Sequence, residues 1–291
     1  MKKCRDNLIF ACMLTVSILC TSLNGVVFAA STYSSTYSII TGEYVRLLGR
    51  GEIYKGGRSF NNPNSGFEFI FEGTKAEVYV PYTSAKTADV DPDRLNAVYF
   101  NVTVDGGEPT RIVLDAGWNT LVEGLDYSTH IIRCVRSSEC IHGKIVMSQI
   151  RVDGPSSPKP TEVRERRMEF YGDSYTVGYG NVPLGIPNEK FCAKNTDHWK
   201  SYASYTARYF NADSNVIAMS GRGVCMNYKS GETIDTRNTM LEQFWLSEIR
   251  TGWERHEDWD FLQCLSIINI NILILLMCKS IINKKISFTF M

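Results

Sequence analysis

The sequence predicts an all-β jelly-roll sandwich followed by a truncated α/β domain with a parallel sheet. Residues 31–153 consist of short alternating or β-branched segments separated by turns, which is typical of an antiparallel sandwich. After a stretch rich in proline and serine, the pattern becomes strand, helix, strand, as in a parallel sheet. The 291 residues, with 44% hydrophobic and 12% aromatic content, suffice for one large domain or two ordinary ones.

Residues 1–29 have the features of a secretory signal peptide. Lys2, Lys3 and Arg5 form a positive N-terminal region, and the apolar stretch 8–20 is too short to span a bilayer. Residues 27–29 supply small side chains at the expected cleavage positions, so maturation near residue 30 is predicted. We therefore expect a secreted, extracellular protein with no membrane association after removal of the signal.

Charge and cysteine content argue against several classes of partner. Lys plus Arg and Asp plus Glu both number 31, so no basic excess indicates a nucleic-acid partner or an anionic membrane. Of the nine cysteines, Cys4, Cys12 and Cys20 fall in the signal peptide, and the others show no CxxC spacing, so no metal site is predicted. Cys134 and Cys140 flank a short turn and either pair in an oxidising compartment or remain buried free thiols.

The first region contains most of the predicted strands, which are bounded by turn signals. These strands are 67–71, 76–80, 97–104, 111–114, 130–135 and 144–152. Residues 154–166 are predicted to form a linker, because they are rich in proline and serine and then charged, without apolar periodicity.

Residues 167–261 are predicted to form part of an α/β domain. The apolar segment 168–171 is the first predicted strand and 215–219 is the second. Apolar residues at helical spacing predict an amphipathic helix over 197–210, and another helix is predicted over 240–249. A sheet cut after two or three strands is expected to expose apolar faces.

The tail, residues 262–291, differs in kind from the rest. It is crowded with Ile, Asn, Lys and Leu and has no helix or strand period. Its apolar run 265–277 is too short to span a membrane. We hypothesise that the tail is translated out of frame or replaces a lost C-terminal half. Resequencing the locus tests this hypothesis, which an intact frame in independent clones would contradict.

Ser174 is the candidate nucleophile. A strand ending in Gly172-Asp173-Ser174 places the serine hydroxyl at the carboxyl edge of a parallel sheet, where ligands bind in open α/β folds. Gly172 allows the backbone to turn tightly there, and Asp173 is expected to fix the loop by hydrogen bonding. The N-terminus of a following helix would favour an oxyanion beside Ser174.

A second glycine-bearing loop, Ser220-Gly221-Arg222-Gly223, follows the second predicted strand. Loops at the ends of neighbouring parallel strands can converge on one oxyanion. The N–H groups of Ser174 and Gly221 are therefore the predicted oxyanion donors, with Gly223 supporting the loop. An ordinary strand-to-helix turn is the alternative interpretation of Gly221.

These motifs resemble the SGNH/GDSL hydrolase superfamily and, within it, carbohydrate esterase family 2. Gly172-Asp173-Ser174 is similar to the nucleophile block, and Ser220-Gly221 to the block whose glycine N–H completes the oxyanion hole. The resemblance covers roughly 44–261. Further motifs that are similar to this family are 195–228, Gly49-Arg50, 67–69, 104–106 and Ser138-Glu139.

The resemblance implies a serine esterase that removes O-acetyl groups from plant polysaccharides such as xylan and glucomannan, as acetylxylan esterases do. Ser174 would attack the acetyl carbonyl, and water would hydrolyse the acyl-enzyme. No metal or cofactor is implied, and the expected partner is an acetylated plant polysaccharide.

The sequence also departs from the family. The block Gly-x-Asn-Asp, whose Asn side chain completes the oxyanion hole, has no counterpart, and neither has the late catalytic His with its acid. Only His198 and His256 follow Ser174, and both are interpreted as surface or capping residues, so no catalytic His or Asp is assigned. We therefore expect impaired activity.

Three other interpretations stay open from the sequence. The chain could be a non-catalytic carbohydrate-binding protein or an inactive gene fragment. A lipase acting on fatty esters shares the GDSL signature, although the jelly-roll partner and the aromatic content argue against it.

Overall fold

The computed structural model describes residues 35–87, 89–185, 190–228, 235–249 and 258, together with the backbone of 272–275. The predicted signal peptide, His256 and the remainder of the tail lie outside the described residues. Within the described ranges, no helix combines the length and the apolar character that a bilayer crossing requires.

Antiparallel strands form three sheets in the first region. The strands are β1 (Thr36–Ser38), β2 (Arg46–Leu48), β3 (Ile53–Tyr54), β4 (Gly57–Ser59), β5 (Gly66–Gly73), β6 (Ala76–Val80), β7 (Tyr82–Thr83), β8 (Tyr99–Val104), β9 (Thr110–Val113), β10 (Gly117–Val122), β11 (Ser128–Arg136), β12 (Ile145–Met147), β13 (Gln149–Val152) and β14 (Lys159–Pro160). The first sheet has the order β1-β13-β6-β10. The second has the order β14-β5-β11-β8-β9, with β2 also paired to β5, and the third has the order β3-β4-β12-β7.

The core of this region lies between the first two sheets. Phe67, Phe69 and Phe71 occupy alternate positions of β5, so they point to one face. All three are buried, and their ring centroids follow one another at 6.0 and 5.8 Å. They pack in one cluster with Val78 and Ile150 of the other sheet. The prediction of an antiparallel sandwich, in keeping with a jelly roll, is confirmed.

Two predicted segments of this region differ in detail. The run 144–152 is divided into β12 and β13, which belong to different sheets. Ser148 separates them, because its N–H donates to Tyr79 O (3.1 Å) and its own carbonyl accepts from Ile39 N–H (3.0 Å). The predicted linker contains β14, which pairs with β5, so edge pairing orders a proline-containing segment that has no apolar period.

Parallel strands begin the second region. β15 (Arg166–Gly172) and β16 (Ala212–Ala218) pair in continuous register from Arg166↔Ala212 to Gly172↔Ala218. β17 (Ile272–Leu275) pairs with the other side of β15, also parallel. The tail, for which no regular structure is predicted, therefore supplies a strand. Four consecutive β-branched or leucine residues suit a strand in a parallel sheet.

Three short helices accompany this sheet: α1 (Ser174–Val177), α2 (Tyr202–Tyr209) and α3 (Met240–Gln243). The helix predicted over 197–210 is divided into a 3₁₀ turn, His198–Lys200, and α2. Ser201 causes the division, because its side chain accepts from Ser204 N–H and so caps a new helix. The helix predicted over 240–249 is a single turn.

Both faces of β15 are covered within the described residues. Phe170 packs with Ala203 of α2 on one face, and Tyr171 packs with Cys140 of the first region on the other. Phe170 and Tyr171 are 0% and 3% exposed. The expectation of exposed apolar faces is therefore wrong at this strand, because the first region covers the face that a truncated sheet would leave open.

Buried polar side chains join the two regions. Arg50, fully buried, donates to Tyr171 Oη (2.7 Å) and to the carbonyls of Phe244 (2.8 Å) and Leu246 (2.9 Å). Asn62 Nδ2 donates to Ser247 O at 3.1 Å. Because such bonds require fixed geometry, they hold the parallel sheet in one orientation on the sandwich.

Cys134, Cys140 and Cys192 are free and buried, and Cys225 is free with its side chain exposed. The alternative of buried free thiols at 134 and 140 is therefore confirmed. Burial raises the pKa of both of these thiols, that of Cys140 to about 12, so both are unreactive at neutral pH.

Candidate active site

The candidate nucleophile lies where β15 turns into α1. Asp173 precedes the helix, and its Oδ1 accepts from Tyr175 N–H at 3.1 Å. Ser174 is the first helical residue and is partly exposed, between the buried Asp173 and Tyr175, which is 76% exposed. Because α1 has only four residues, its dipole contributes little beside Ser174.

Residue 172 must be glycine because the side chain of Thr176 lies too close for a Cβ atom, not because its φ angle is unusual. A Cβ at this position would lie 2.1 Å from Thr176 Oγ1 and 3.0 Å from Thr176 Cβ. Thr176 Oγ1 is itself fixed at 2.9 Å from Tyr202 Oη of α2. Glycine therefore lets the first turn of α1 pack closely against the end of the strand.

The second loop leaves β16 beside the first. Beyond the last strand pair, Met219 N–H donates to Gly172 O at 3.1 Å, so the loops that follow Gly172 and Ala218 emerge side by side. Gly221 has φ +77°, a conformation that glycine adopts without strain. Its carbonyl accepts from Tyr228 N–H at 2.8 Å.

Further bonds secure this second loop. Gly223 N–H donates to Asn227 Oδ1 (3.3 Å), and Gly223 O accepts from Met240 N–H (2.9 Å). Among the residues that the structure describes, the N–H groups of Ser174 and Gly221 donate to no other group. Two unpaired donors thus lie on adjacent loops at one edge of the sheet, next to a partly exposed hydroxyl.

Glu139 of the first region holds the second loop. It is fully buried, and its carboxylate accepts from Ser220 N–H (2.8 Å) and from Ser220 Oγ–H (2.9 Å). Burial raises the pKa of Glu139, against the opposing effects of the two Ser220 bonds and of Arg136. This role of Glu139 is not predicted from the sequence, because a contact between residues 81 positions apart has no local signal beyond the Ser138-Glu139 motif.

Replacing Glu139 with alanine should lower the free energy of unfolding by about 2 kcal/mol, because Ser220 then loses both partners in a buried setting. Chemical denaturation followed by circular dichroism measures this loss. Glu123→Ala is the control: Glu123 is 65% exposed in its pair with Lys75, so the expected change is below about 1 kcal/mol. Equal stabilities of the two variants would contradict the role assigned to Glu139.

His198 is not a surface residue, and that interpretation is wrong. It is 2% exposed, and its Nδ1 donates to Thr176 O at 2.9 Å. Asp197, not His198, caps the 3₁₀ turn by accepting from Trp199 N–H. Burial lowers the pKa of His198 to about 4. The ring is thus bound to α1 from beneath, and no hydrogen bond links it to Ser174 in the described structure.

These features define an antiparallel β domain fixed to a parallel sheet, with a serine and two unpaired N–H groups at one sheet edge, an arrangement that suits acyl transfer. Residues 47–160 match the family described as Carbohydrate esterase 2 N-terminal. This segment is therefore an N-terminal domain of the carbohydrate esterase family 2 type.

Similar proteins support this assignment. The chain is 31% identical over 191 residues to the cellulase/esterase CelE of Acetivibrio thermocellus, which covers 61% of this chain and 22% of CelE. It is 25% identical over 234 residues to an acetylxylan esterase / glucomannan deacetylase of Cellvibrio japonicus, which covers 78% of this chain and 61% of that protein. The chain therefore spans less than two thirds of the length of these curated relatives.

A solved structure shows the same fold. A family two carbohydrate esterase from Clostridium thermocellum, in complex with cellohexaose, superposes with a TM-score of 0.59 at 26% identity. The match covers 75% of this chain and 62% of that chain. The similarity thus extends beyond the segment 47–160 that matches the family.

Proposed function

We propose that this chain is a secreted SGNH-type carbohydrate esterase that removes O-acetyl groups from plant polysaccharides such as xylan or glucomannan. One observation carries the proposal: the hydroxyl of the partly exposed Ser174 lies at the same edge of the sheet as two unpaired N–H groups, those of Ser174 and Gly221. The relative from Cellvibrio japonicus is named an acetylxylan esterase and glucomannan deacetylase, which supports an acetylated polysaccharide as the substrate.

In the proposed reaction, Ser174 Oγ attacks the acetyl carbonyl carbon and passes its proton to water, which supplies one to the departing sugar oxygen. The negative oxygen of the tetrahedral intermediate accepts from the N–H groups of Ser174 and Gly221. Collapse of the intermediate breaks the bond to the sugar oxygen, which leaves with a proton as a hydroxyl group. Water then attacks the acetyl-serine, releasing acetate and restoring Ser174. The reaction uses neither a metal nor a cofactor.

The proposed activity is weak. In the described part of the chain Ser174 Oγ has no hydrogen-bond partner, and the buried His198 donates to Thr176 O instead. A serine hydroxyl without a base is a poor nucleophile, and catalysis then rests mainly on oxyanion binding. We therefore expect slow acylation of Ser174 rather than rapid turnover.

Covalent labelling with a fluorophosphonate tests this function, because the reagent reports a nucleophilic serine even when turnover is slow. We expect slow modification of the wild-type chain on the peptide that contains Ser174, and none in Ser174→Ala. Release of acetate from acetylated xylan should show the same dependence.

Ser128→Ala is the matched control, because Ser128 is an exposed serine at the start of β11. It should react like the wild type. Labelling that persists in Ser174→Ala would overturn the assignment of the nucleophile. Rapid serine-dependent release of acetate would leave the nucleophile in place and overturn the impairment.

A further inference from the structure

A cavity of about 710 Å³ opens on the first region, away from Ser174. Its lining includes Tyr54 of β3 and Tyr82 of β7, together with His142, Lys144 and Phe191. The volume falls within the range of roughly 300–1,000 Å³ that is typical of ligand sites. Nothing in the proposed ester hydrolysis uses this cavity.

Aromatic rings are held firmly in its wall. Tyr54 and Tyr82 meet edge to face with centroids 5.7 Å apart. Lys55 Nζ lies 3.6 Å from the centroid of Tyr82, and Lys144 Nζ lies 4.6 Å from that of Tyr54. A lysine therefore lies over one face of each ring, and the parts of the rings that line the cavity are preformed surface for a ligand. The C–H face of a pyranose ring is complementary to the electron-rich face of an aromatic ring.

Two polar atoms in the wall have no partner among the described residues. Asn61 is 4% exposed and its Oδ1 accepts no hydrogen bond, and Nε2 of His142 is buried and likewise unpaired. Buried polar atoms are nearly always paired, so each unpaired atom calls for a ligand or water. A sugar hydroxyl can both donate and accept, so it can satisfy the Asn61 oxygen and either tautomer of His142.

Carboxylates offset the charge of Lys144 in the wall. Lys144 Nζ pairs with Glu52 (3.1 Å) and with the buried Glu248 (2.8 Å), and Lys86 also lines the cavity. The lining thus holds two lysines and Glu52, and the ammonium group of Lys144 is paired. Burial, with Arg136 and Lys86 nearby, lowers the pKa of His142 to about 4, so this ring is neutral near pH 7. A neutral ligand fits this wall better than an anion does.

The cavity is connected to the candidate active site through a line of rings. Phe191 contacts His142 with centroids 5.4 Å apart and Tyr179 with centroids 4.9 Å apart. Tyr179 N–H in turn donates to Ser174 O at 3.0 Å. Tyr179 and Phe191 are 39% and 38% exposed, so the path between the two sites offers aromatic surface.

We propose that this cavity is a second carbohydrate-binding subsite, which binds neutral pyranose units of the polysaccharide chain that brings its acetyl group to Ser174. The tyrosine rings pack against the sugar faces, and Asn61 and His142 bond to the hydroxyl groups. The subsite rests on the proposed function only in the identity of the polysaccharide. Binding at the cavity needs no acetyl group and no reaction at Ser174.

Calorimetric titration of the full chain with xylohexaose and mannohexaose, which carry no acetyl groups, tests the subsite. Tyr82→Ala and Asn61→Leu should each weaken binding about tenfold, as the loss of an aromatic anchor or a buried polar contact does. Asn61→Leu keeps the branched shape of the side chain and removes its polar atoms, and circular dichroism of each variant checks that it is folded. Tyr127→Ala is the control, because Tyr127 is 59% exposed and is not a cavity residue.

Support for the subsite would be binding that both cavity variants weaken and that Tyr127→Ala leaves unchanged. No binding by the wild type, or equal binding by the folded cavity variants, would overturn it while leaving labelling of Ser174 intact. Cavity-dependent binding without labelling of Ser174 would support the subsite and overturn the esterase. Strong weakening by salt would overturn the neutral character of the ligand, since it indicates a charged one.

Discussion

Replacing Arg50 with alanine should lower the free energy of unfolding by about 3–5 kcal/mol, because the change breaks a buried charged network between the two regions. The guanidinium is 0% exposed and donates to the Phe244 and Leu246 carbonyls and to Tyr171 Oη, and it pairs with Glu169 at 3.2 Å. Alanine leaves these acceptors buried without their donor, which costs more than the bonds themselves contributed.

Denaturation by guanidinium chloride, followed by circular dichroism, measures this effect. Arg50→Lys should recover only part of the loss, because one ammonium cannot reproduce the planar fork that reaches acceptors on two sides. The control is Arg94→Ala, which removes a more exposed ion pair with Asp115 at 2.6 Å and should cost less than about 1 kcal/mol. A loss at Arg50 no larger than that at Arg94 would contradict a structural role in joining the regions.

Acidification should unfold the chain in part through His198. Burial lowers the pKa of this ring to about 4, whereas an unfolded histidine titrates near 6.5. Between these two pH values the histidine is protonated in the unfolded chain but neutral in the folded chain. The free energy of unfolding therefore falls as the pH falls through this window. By pH 4 the contribution of His198 should be a loss of about 3 kcal/mol relative to pH 7.

Other groups titrate in the same range with the opposite sign, so variants must isolate the effect. Burial raises the pKa of Glu139 and Glu248, and protonation of these carboxyls favours the folded state. His198→Asn keeps a donor for Thr176 O but cannot gain a proton. Its stability should therefore fall less steeply than that of the wild type as the pH is lowered from 7 to 4.

His130→Asn is the control for the sign of this effect. Bonds to the Asp126 carbonyl and to Asp105 raise the pKa of His130, so its stabilising contribution is present at low pH and is lost as the pH rises. This variant should therefore show the steeper loss on acidification. If His198→Asn followed the wild-type curve at every pH, the buried neutral ring would not contribute to acid sensitivity.

Local patterns in the sequence sufficed for much of the fold and for the candidate nucleophile. The alternation of Phe67, Phe69 and Phe71 predicted a strand with one buried face, and β5 has that face. The end of the strand at Gly172, just before Ser174, was likewise predicted, because glycine and turn-forming residues mark where a buried strand stops. Such signals depend on neighbours along the chain, so they need no knowledge of packing.

Elements with weak local signals were missed or misjudged. β10 (Gly117–Val122) contains glycine and asparagine, which are uncommon in strands, so propensity alone did not predict it. It is a strand because it pairs with β6. β17 lies in a tail without periodicity and is a strand because β15 offers a free edge for pairing. In both cases the partner strand, rather than the segment itself, determines the conformation.

The sequence by itself determined the antiparallel sandwich, the turn that carries Ser174 and the glycine loop after the second strand, because each depends on residues adjacent in the chain. The tertiary structure alone decided that Glu139 holds Ser220, that His198 is buried beneath α1, and that Asn61 and Tyr82 share a cavity. These relations depend on which distant segments the folded chain brings together and removes from water. Burial and pairing, not residue type, then decide what each side chain can do.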